Sequence, residues 1–183
     1  QNILLTDVPV ASVPSVVGHL ADVGLGPAGA LGSVDVRACP GLAFCSLAIT
    51  GSQPVALAIE AALNGRPDLP RDASIAVSGC PNSCAKQQAT DIGLAGAKVK
   101  VGATVGLGYQ LFLGADLGAG VVGEPVLRML EAEVPAAVVA TLETWVALRR
   151  PNESLGSTCR RAGLDVVART IAARLGRAVE LAA

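Results

Sequence analysis

Val34-Asp35-Val36-Arg37-Ala38-Cys39-Pro40-Gly41-Leu42-Ala43-Phe44-Cys45 reads as a strand running straight into a cysteine loop. The arrangement recurs at Ser74-Ile75-Ala76-Val77-Ser78-Gly79-Cys80-Pro81-Asn82-Ser83-Cys84. Short apolar runs predict strands over Val34–Arg37 and Ser74–Val77, each ending where a cysteine pair begins. The pairs are spaced C-x5-C and C-x3-C, and together they supply the four thiolates that an iron–sulfur cluster requires. Gly and Pro beside each pair let the backbone turn sharply enough for two thiolates to converge on one inorganic core. A rigid strand that delivers a loop is a common way to place functional side chains.

Other uses of these cysteines are weaker. Structural zinc prefers C-x2-C or C-x4-C pairs, and a dithiol redox motif wants C-x-x-C. None of these spacings occurs. A disulfide framework belongs to small secreted chains, and no secretion signal is legible here. A small buried apolar thiol explains any one of the four but not two loop-borne pairs. Cys159, alone in Ser-Thr-Cys-Arg-Arg, reads as a structural or surface thiol.

Bulk composition narrows the function further. The chain has 183 residues, 51% hydrophobic and only 2% aromatic, so stacking platforms for single-stranded nucleic acid are scarce. Fourteen basic against 15 acidic residues give a net charge of −1, with no strong field toward nucleic acid or acidic membranes. Gly, Pro or a charge interrupts every apolar run before the ~18 residues a spanning helix needs. The expectation is a cytoplasmic protein with neither nucleic-acid nor membrane partners.

Working outward, Asn2–Thr6 is expected to be a strand and Ser12–Val23 a helix, its apolar stripe set by Val13, Val16, Val17 and Leu20. His19 on that helix reads as a surface residue. This strand–helix unit resembles the tail of an α+β module, and the abrupt start at Gln1-Asn2 suggests one segment of a longer protein. Gln53–Leu63 predicts a helix stopped by Asn64-Gly65, and Pro67, Pro70 and Asp72 a turn. Asp91–Leu113 reads as β-structure, with a strand at Tyr109–Leu113. Four glycines in Gly114–Gly123 point to a segment that lies close to a ligand. The last third is expected to be helical: a short element over Glu124–Glu133, then a helix opened by Pro135 and running to Arg149. Asn152 with Glu153 caps a further segment, and Leu164–Leu175 is the last helix. Trp145 reads as a core anchor.

Four separated blocks carry a family resemblance: Ala38–Cys45, Ser78-Gly79-Cys80-Pro81-Asn82-Ser83-Cys84-Ala85, Asp91-Ile92-Gly93-Leu94 and Tyr109-Gln110-Leu111-Phe112-Leu113-Gly114. In order and spacing they resemble the sirohaem- and [4Fe–4S]-dependent nitrite and sulfite reductases, over essentially the whole chain. The resemblance implies an α+β fold: residues 1–33 form the C-terminal part of a ferredoxin-like half-domain, and 34–183 a mixed α/β domain binding sirohaem and the [4Fe–4S] cluster. It also implies that Cys39, Cys45, Cys80 and Cys84 hold the cluster, with Cys84 shared as axial ligand to the sirohaem iron. Asn82 and Ser83 would lie near the cluster sulfurs, where backbone N–H groups raise the potential. Lys86 would contact a sirohaem carboxylate, unless it is simply a solvated lysine at a helix start. The implied reaction is six-electron reduction of sulfite to sulfide or nitrite to ammonium, fed by a ferredoxin-like or flavoprotein donor.

The chain departs from the family pattern in one respect. The family's basic residues that bind the oxyanion come from an earlier part of the polypeptide, and nothing here replaces them as a group. The chain therefore resembles the C-terminal portion of such a reductase, its substrate pocket completed by the missing N-terminal half. Two alternatives stay open: a precorrin-3B synthase-like oxygenase, similar to these reductases in its cluster cysteines, and a non-catalytic electron-carrying module.

Overall fold

The fold is built on a mixed sheet whose five strands lie in sequence order. The computed structural model describes residues 5–25 and 35–177. Strands β1 (Asp35–Ala38), β2 (Ser74–Ser78) and β3 (Ile92–Val101) run parallel. β4 (Thr104–Leu113) and β5 (Glu124–Leu130) follow as antiparallel neighbours. A two-residue turn at Gly102-Ala103 joins β3 to β4, with Gly102 at φ +58° as such tight hairpins require.

Before the sheet comes α1 (Val13–Asp22), and between β1 and β2 comes α2 (Ser52–Asn64). After β5 follow α3 (Val134–Leu148), α4 (Leu155–Ala162) and α5 (Leu164–Arg174). Alternation along the strands turns Ile75, Val77, Ile92, Leu94, Leu111 and Leu113 toward one face, where they join the helices in a single core. In α2 the buried positions Val55, Ala56, Ile59 and Leu63 form one helical stripe on that core. The other face of the central strands is lined by small residues, with Ala76 paired to Gly93 and Ser78 to Ala95.

Parallel neighbours need long crossover connections, and the two used here differ. β1 reaches β2 through the first cysteine loop and α2. β2 reaches β3 through the second cysteine loop and a single 3-10 turn, Gln87–Ala89. Both cysteine loops thus leave the carboxyl ends of adjacent parallel strands, and the crossovers themselves are what position the site.

The mixed α/β class expected from the sequence is the one observed, and the predicted strands around 34–37 and 74–77 appear as β1 and β2. Trp145 is 6% exposed and donates from Nε1 to the Glu153 carbonyl at 3.3 Å, as a core anchor should. Several expectations are corrected. Glu124–Leu130 is a strand, not part of a helical third: it pairs with β4, and Val126, Leu127 and Met129 are buried through that pairing. β4 begins at Thr104, five residues before Tyr109, because the hairpin ladder continues to the turn. The cap of α4 is Ser154, whose Oγ accepts from Ser157 N at 3.1 Å, while Asn152 sits in a turn at φ +60°. The expected strand at Asn2–Thr6 falls largely outside the described residues, and Leu5 and Thr6 form none. No residue of α1 is buried, and His19 is exposed on it.

Candidate functional site

Cys39 is the first residue beyond β1, and its N–H still donates to the Val77 carbonyl at 3.0 Å as though the ladder continued. Cys80 follows Ser78, the last residue of β2, by two positions. Adjacent strands therefore bring the first cysteine of each pair to the same end of the sheet, and both are buried. Cys45 and Cys84 lie at the far ends of their loops, one half-buried and the other exposed.

The loops are tied together at Gly79. Its carbonyl accepts the backbone N–H groups of Ile49, at 2.7 Å, and Thr50, at 3.1 Å. Its own N–H donates to Cys39 Sγ at 3.1 Å. Ser52, at the start of α2, is fully buried; its hydroxyl donates to the Cys39 carbonyl at 2.7 Å and lies 3.4 Å from Cys39 Sγ. Gly41 makes this possible. A Cβ there would stand 2.5 Å from Ser52 Oγ and 2.8 Å from Ser52 N, and the residue adopts φ +62°. Only glycine lets the first loop fold onto the N-terminus of α2.

This environment is built for an anion. Burial pushes the Cys39 thiol up, but hydrogen bonds from Ser52 and from the N–H groups of Gly79 and Gly41 outweigh it and hold the thiol below its ordinary value. The positive end of the α2 dipole acts in the same direction. Cys159 has the opposite surroundings: buried at 3% exposure, its thiol is pushed up to about 12, and it is a structural residue.

In the second loop, Ser83 and Lys86 both adopt φ +61°, two of the four non-glycine residues with positive φ among those described. They bracket Cys84, which places backbone strain beside that thiol. Lys86 leads into the Gln87–Ala89 turn and projects into solvent; it heads no α-helix. Asn82 is also exposed. The Gly114–Gly123 segment is held by protein contacts: Arg160 of α4 donates to the Gly114 carbonyl and pairs with Asp116 at 2.6 Å, and Gly123 N donates to the Gln88 carbonyl at 2.7 Å. Tyr109, quoted above as part of a family block, is fully buried, and that burial pushes its phenol up to about 12.

Among the described residues, no three Cys, His, Asp or Glu side chains stand close enough to share a single metal ion. A cubane cluster makes a different demand, one thiolate at each of four separated iron corners. The chemistry around the cysteines fits it: thiols at two adjoining strand ends, N–H and O–H donors to sulfur, and a helix N-terminus. Around Cys45 the surface is apolar, with Leu42 54%, Phe44 80% and Leu47 66% exposed, and such a surface suits a large macrocycle. Sequence reasoning missed Ser52, and read Gly41 and Gly79 only as turn residues beside the cysteines. Thr50-Gly51-Ser52 just ahead of the Gln53–Leu63 pattern is a helix-start signal that pointed to Ser52.

A family model for the nitrite and sulphite reductase 4Fe-4S domain matches residues 31–179. The ferredoxin–nitrite reductase of Synechococcus elongatus is 36% identical over 118 residues, 64% of this chain and 23% of that protein. Sulfite reductase [ferredoxin] 2 of Mycolicibacterium paratuberculosis is 33% identical over 124 residues, 64% of this chain and 22% of its own length. Among solved structures, the Mycobacterium tuberculosis NirA protein superposes with a TM-score of 0.71 at 26% identity, covering 88% of this chain and 31% of that one. Dissimilatory sulfite reductase I shares the fold, with a TM-score of 0.72 at 13% identity over 94% of this chain and 59% of that one. The chain thus spans under a quarter of the length of the two reductases.

Proposed function

Because the chain belongs to the nitrite and sulphite reductase 4Fe-4S domain family, whose cofactors are a [4Fe–4S] cluster and sirohaem, we propose that it is the cofactor-bearing part of a reductase acting on a small oxyanion. In this reading Cys39, Cys45, Cys80 and Cys84 hold the cluster. Bound there, the cluster and sirohaem supply successive one-electron steps for reducing nitrite to ammonium or sulfite to sulfide. The observation that carries the reading is the Gly79–Cys39 contact, which joins the two cysteine loops at a sulfur.

The chain's own residues do three things for that chemistry. Gly79, Ser52 and the N-terminus of α2 offset negative charge on the thiolate of Cys39 and so favour the anionic assembly. Cys84, the exposed thiol of the four, is free to face a second cofactor, which supports its role as the axial sirohaem ligand. Leu42, Phe44 and Leu47 give the macrocycle an apolar rim that keeps water away. Asn82 and Lys86 lie two residues before and two residues after Cys84. Both are exposed, so Asn82 can approach the cluster and Lys86 a macrocycle carboxylate.

The partners follow from charge and length. All three lysines of the chain (Lys86, Lys98 and Lys100) fall within one segment, are exposed, and form no ion pair among the described residues. Residues 92–115 contain no Asp or Glu. This suits an acidic one-electron donor of the ferredoxin or flavoprotein type. Residues 1–33 are read as the end of a ferredoxin-like half-domain, in keeping with an α1 that buries nothing. Residues 34–183 form the cofactor domain, and an N-terminal half of the longer polypeptide completes the oxyanion pocket. No helix among the described residues is long and apolar enough to cross a membrane, and a cytoplasmic location is proposed on the ordinary redox behaviour of such thiols.

Anaerobic loading with iron, sulfide and sirohaem tests the reading through visible absorption and EPR spectra. The wild-type protein is expected to hold a cluster magnetically coupled to the haem, and Cys84→Ser to lose the coupling while Cys159→Ser keeps it. A folded wild-type protein that takes up no cluster overturns the proposal.

A further inference from the structure

Cys84 is the exposed thiol of the four, yet the backbone that carries it is pinned on both flanks. Lys86 N–H donates to the Ser83 carbonyl at 2.8 Å and closes a four-residue turn with Cys84 and Ala85 at its corners. After the thiol, Ala85 N–H donates at 3.1 Å to Ser78 Oγ, a buried hydroxyl that also bonds the Gln87 amide oxygen at 2.6 Å. Before the thiol, Ser83 Oγ hydrogen-bonds the carboxamide oxygen of Gln88. Turning the Gln88 amide over keeps this link, because its nitrogen then donates to the same hydroxyl. Ser83 and Gln88 are both half-buried, so water competes for the bond less than it would on an open surface.

Gln88 is itself anchored outside the turn. Its carbonyl accepts the N–H of Gly123 at 2.7 Å, and Gly123 is the residue before β5. The segment between β4 and β5 is closed by the bridge between Asp116 and Val121, and Arg160 of α4 holds it at the Gly114 carbonyl and at Asp116. A path of hydrogen bonds therefore runs from α4 through the glycine-rich segment to Gln88, and from the Gln88 side chain to the residue before Cys84. Ser83 sits at φ +61°, a conformation costly for a residue with a Cβ. Glycine takes that conformation at lower cost, and what serine adds there is the hydroxyl that meets Gln88.

We propose that Gln88 is a positioning residue of the cofactor site, fixing through Ser83 the direction in which Cys84 presents its sulfur. This deepens the reading of Cys84 as the thiol shared between the cluster and the sirohaem iron, and rests on it. A thiolate shared by two metal centres has to satisfy two bond directions at once. A ligand braced from outside its own turn meets both more reproducibly than one held by that turn alone. The glycine-rich segment thus serves the site as the support for Gln88.

Three variants of the complete protein test this: Gln88→Ala, Ser83→Gly and Gln88→Glu. In protein purified anaerobically with its cofactors, the readouts are iron content and the EPR signature of cluster–haem coupling. In cluster-free protein, the readout is hydrogen exchange of the peptide spanning residues 83–89, followed by mass spectrometry. Gln88→Ala and Ser83→Gly should keep the iron but lose part of the coupled signal, and their peptide should exchange about three- to tenfold faster. Gln88→Glu keeps an oxygen for the Ser83 hydroxyl and should retain wild-type coupling and exchange. Wild-type coupling in both Gln88→Ala and Ser83→Gly overturns the proposal, as does a loss in Gln88→Glu equal to that in Gln88→Ala. If Gln88→Ala fails to fold, Ser83→Gly decides it alone, since glycine accepts the backbone conformation at that position. A wild-type protein with no coupled cluster removes the reading of Cys84 itself and this proposal with it; a coupled cluster indifferent to Ser83 and Gln88 sinks only the brace.

Discussion

The N–H of Gly79, which precedes Cys80 in the second cysteine loop, donates to Cys39 Sγ in the first at 3.1 Å. One loop thereby donates to the sulfur of the other, and the two loops are joined at Cys39. Because the donor is backbone, no side-chain substitution other than proline deletes it, and the cleaner tests come from the residues that hold the two loops in register.

Gly41→Ala attacks that register directly. The new methyl group meets Ser52 Oγ at 2.5 Å, in a backbone conformation that alanine avoids. A loss of about 1–3 kcal/mol in unfolding free energy is expected from strain and displacement together. Urea denaturation measures it, and cluster content on purification should fall in parallel. An unchanged denaturation midpoint would show that the first loop is not braced against α2.

Ser52→Ala is a milder change with a sharper readout. It leaves the Cys39 carbonyl without its 2.7 Å donor and removes one of the groups that lower the thiol's pKa. Stability is expected to drop by about 1 kcal/mol. In cluster-free protein, alkylation of Cys39 should require a higher pH than in wild type, followed by mass spectrometry of the labelled peptide. Equal pH profiles would contradict the role given to Ser52.

Cys84 and Cys159 should differ as nucleophiles. Cys84 is exposed, whereas Cys159 is 3% exposed with its thiol pushed up to about 12 by burial. Treating the folded, cluster-free protein with iodoacetamide at neutral pH should label Cys84 and spare Cys159. Comparable labelling of both would mean that the core between α3 and α4 opens readily.

Acid stability should depend on Glu153. Hydrogen bonds from Arg161, from the Arg150 N–H and from Thr158 lower its pKa to about 2 from an ordinary 4.5. A carboxyl lowered by folding contributes stability fully above its unfolded value, near 4.5, and loses it as pH falls toward 2. Glu153→Gln should therefore flatten the decline of the melting temperature between those two values. A wild-type slope in the variant would remove Glu153 from the account.

Exchanging Lys98 and Lys100 for Glu tests the donor surface. Both lysines are exposed and without ion pairs among the described residues, on the β3–β4 hairpin beyond the cysteine loops. In the complete enzyme the expected result is a weaker apparent affinity for an acidic donor at low ionic strength. The difference should shrink as salt screens the interaction over a Debye length of about 8–10 Å. A difference that salt does not alter would place the donor elsewhere.

The candidate site was legible in the sequence as a proposal because ligand chemistry is local. The C-x5-C and C-x3-C spacings, each beyond a short apolar strand, were enough to propose a cluster site, and the four-block pattern was enough to identify the family. Elements with one strong local signal were also legible: α2 by its apolar stripe, α3 by Pro135. β5 was not. Glu-Pro-Val-Leu-Arg-Met-Leu has no decisive periodicity, and it becomes a strand only because β4 offers it a ladder and the core accepts Val126, Leu127 and Met129.

Sequence by itself determined which atoms are available, namely four paired thiols, a carboxylate-free stretch bearing lysines, and a single cysteine set apart. Tertiary structure decided what surrounds them. It laid Gly79 against Cys39 and the N-terminus of α2 beside the same sulfur, buried Tyr109 and Cys159 in the core, and clasped Ser78 to Gln87 beneath the second loop. The physical reason is range: a loop's ligands are set by neighbours along the chain, whereas hydrogen-bond donors to a sulfur and the burial of a thiol depend on parallel strands pairing residues some forty positions apart.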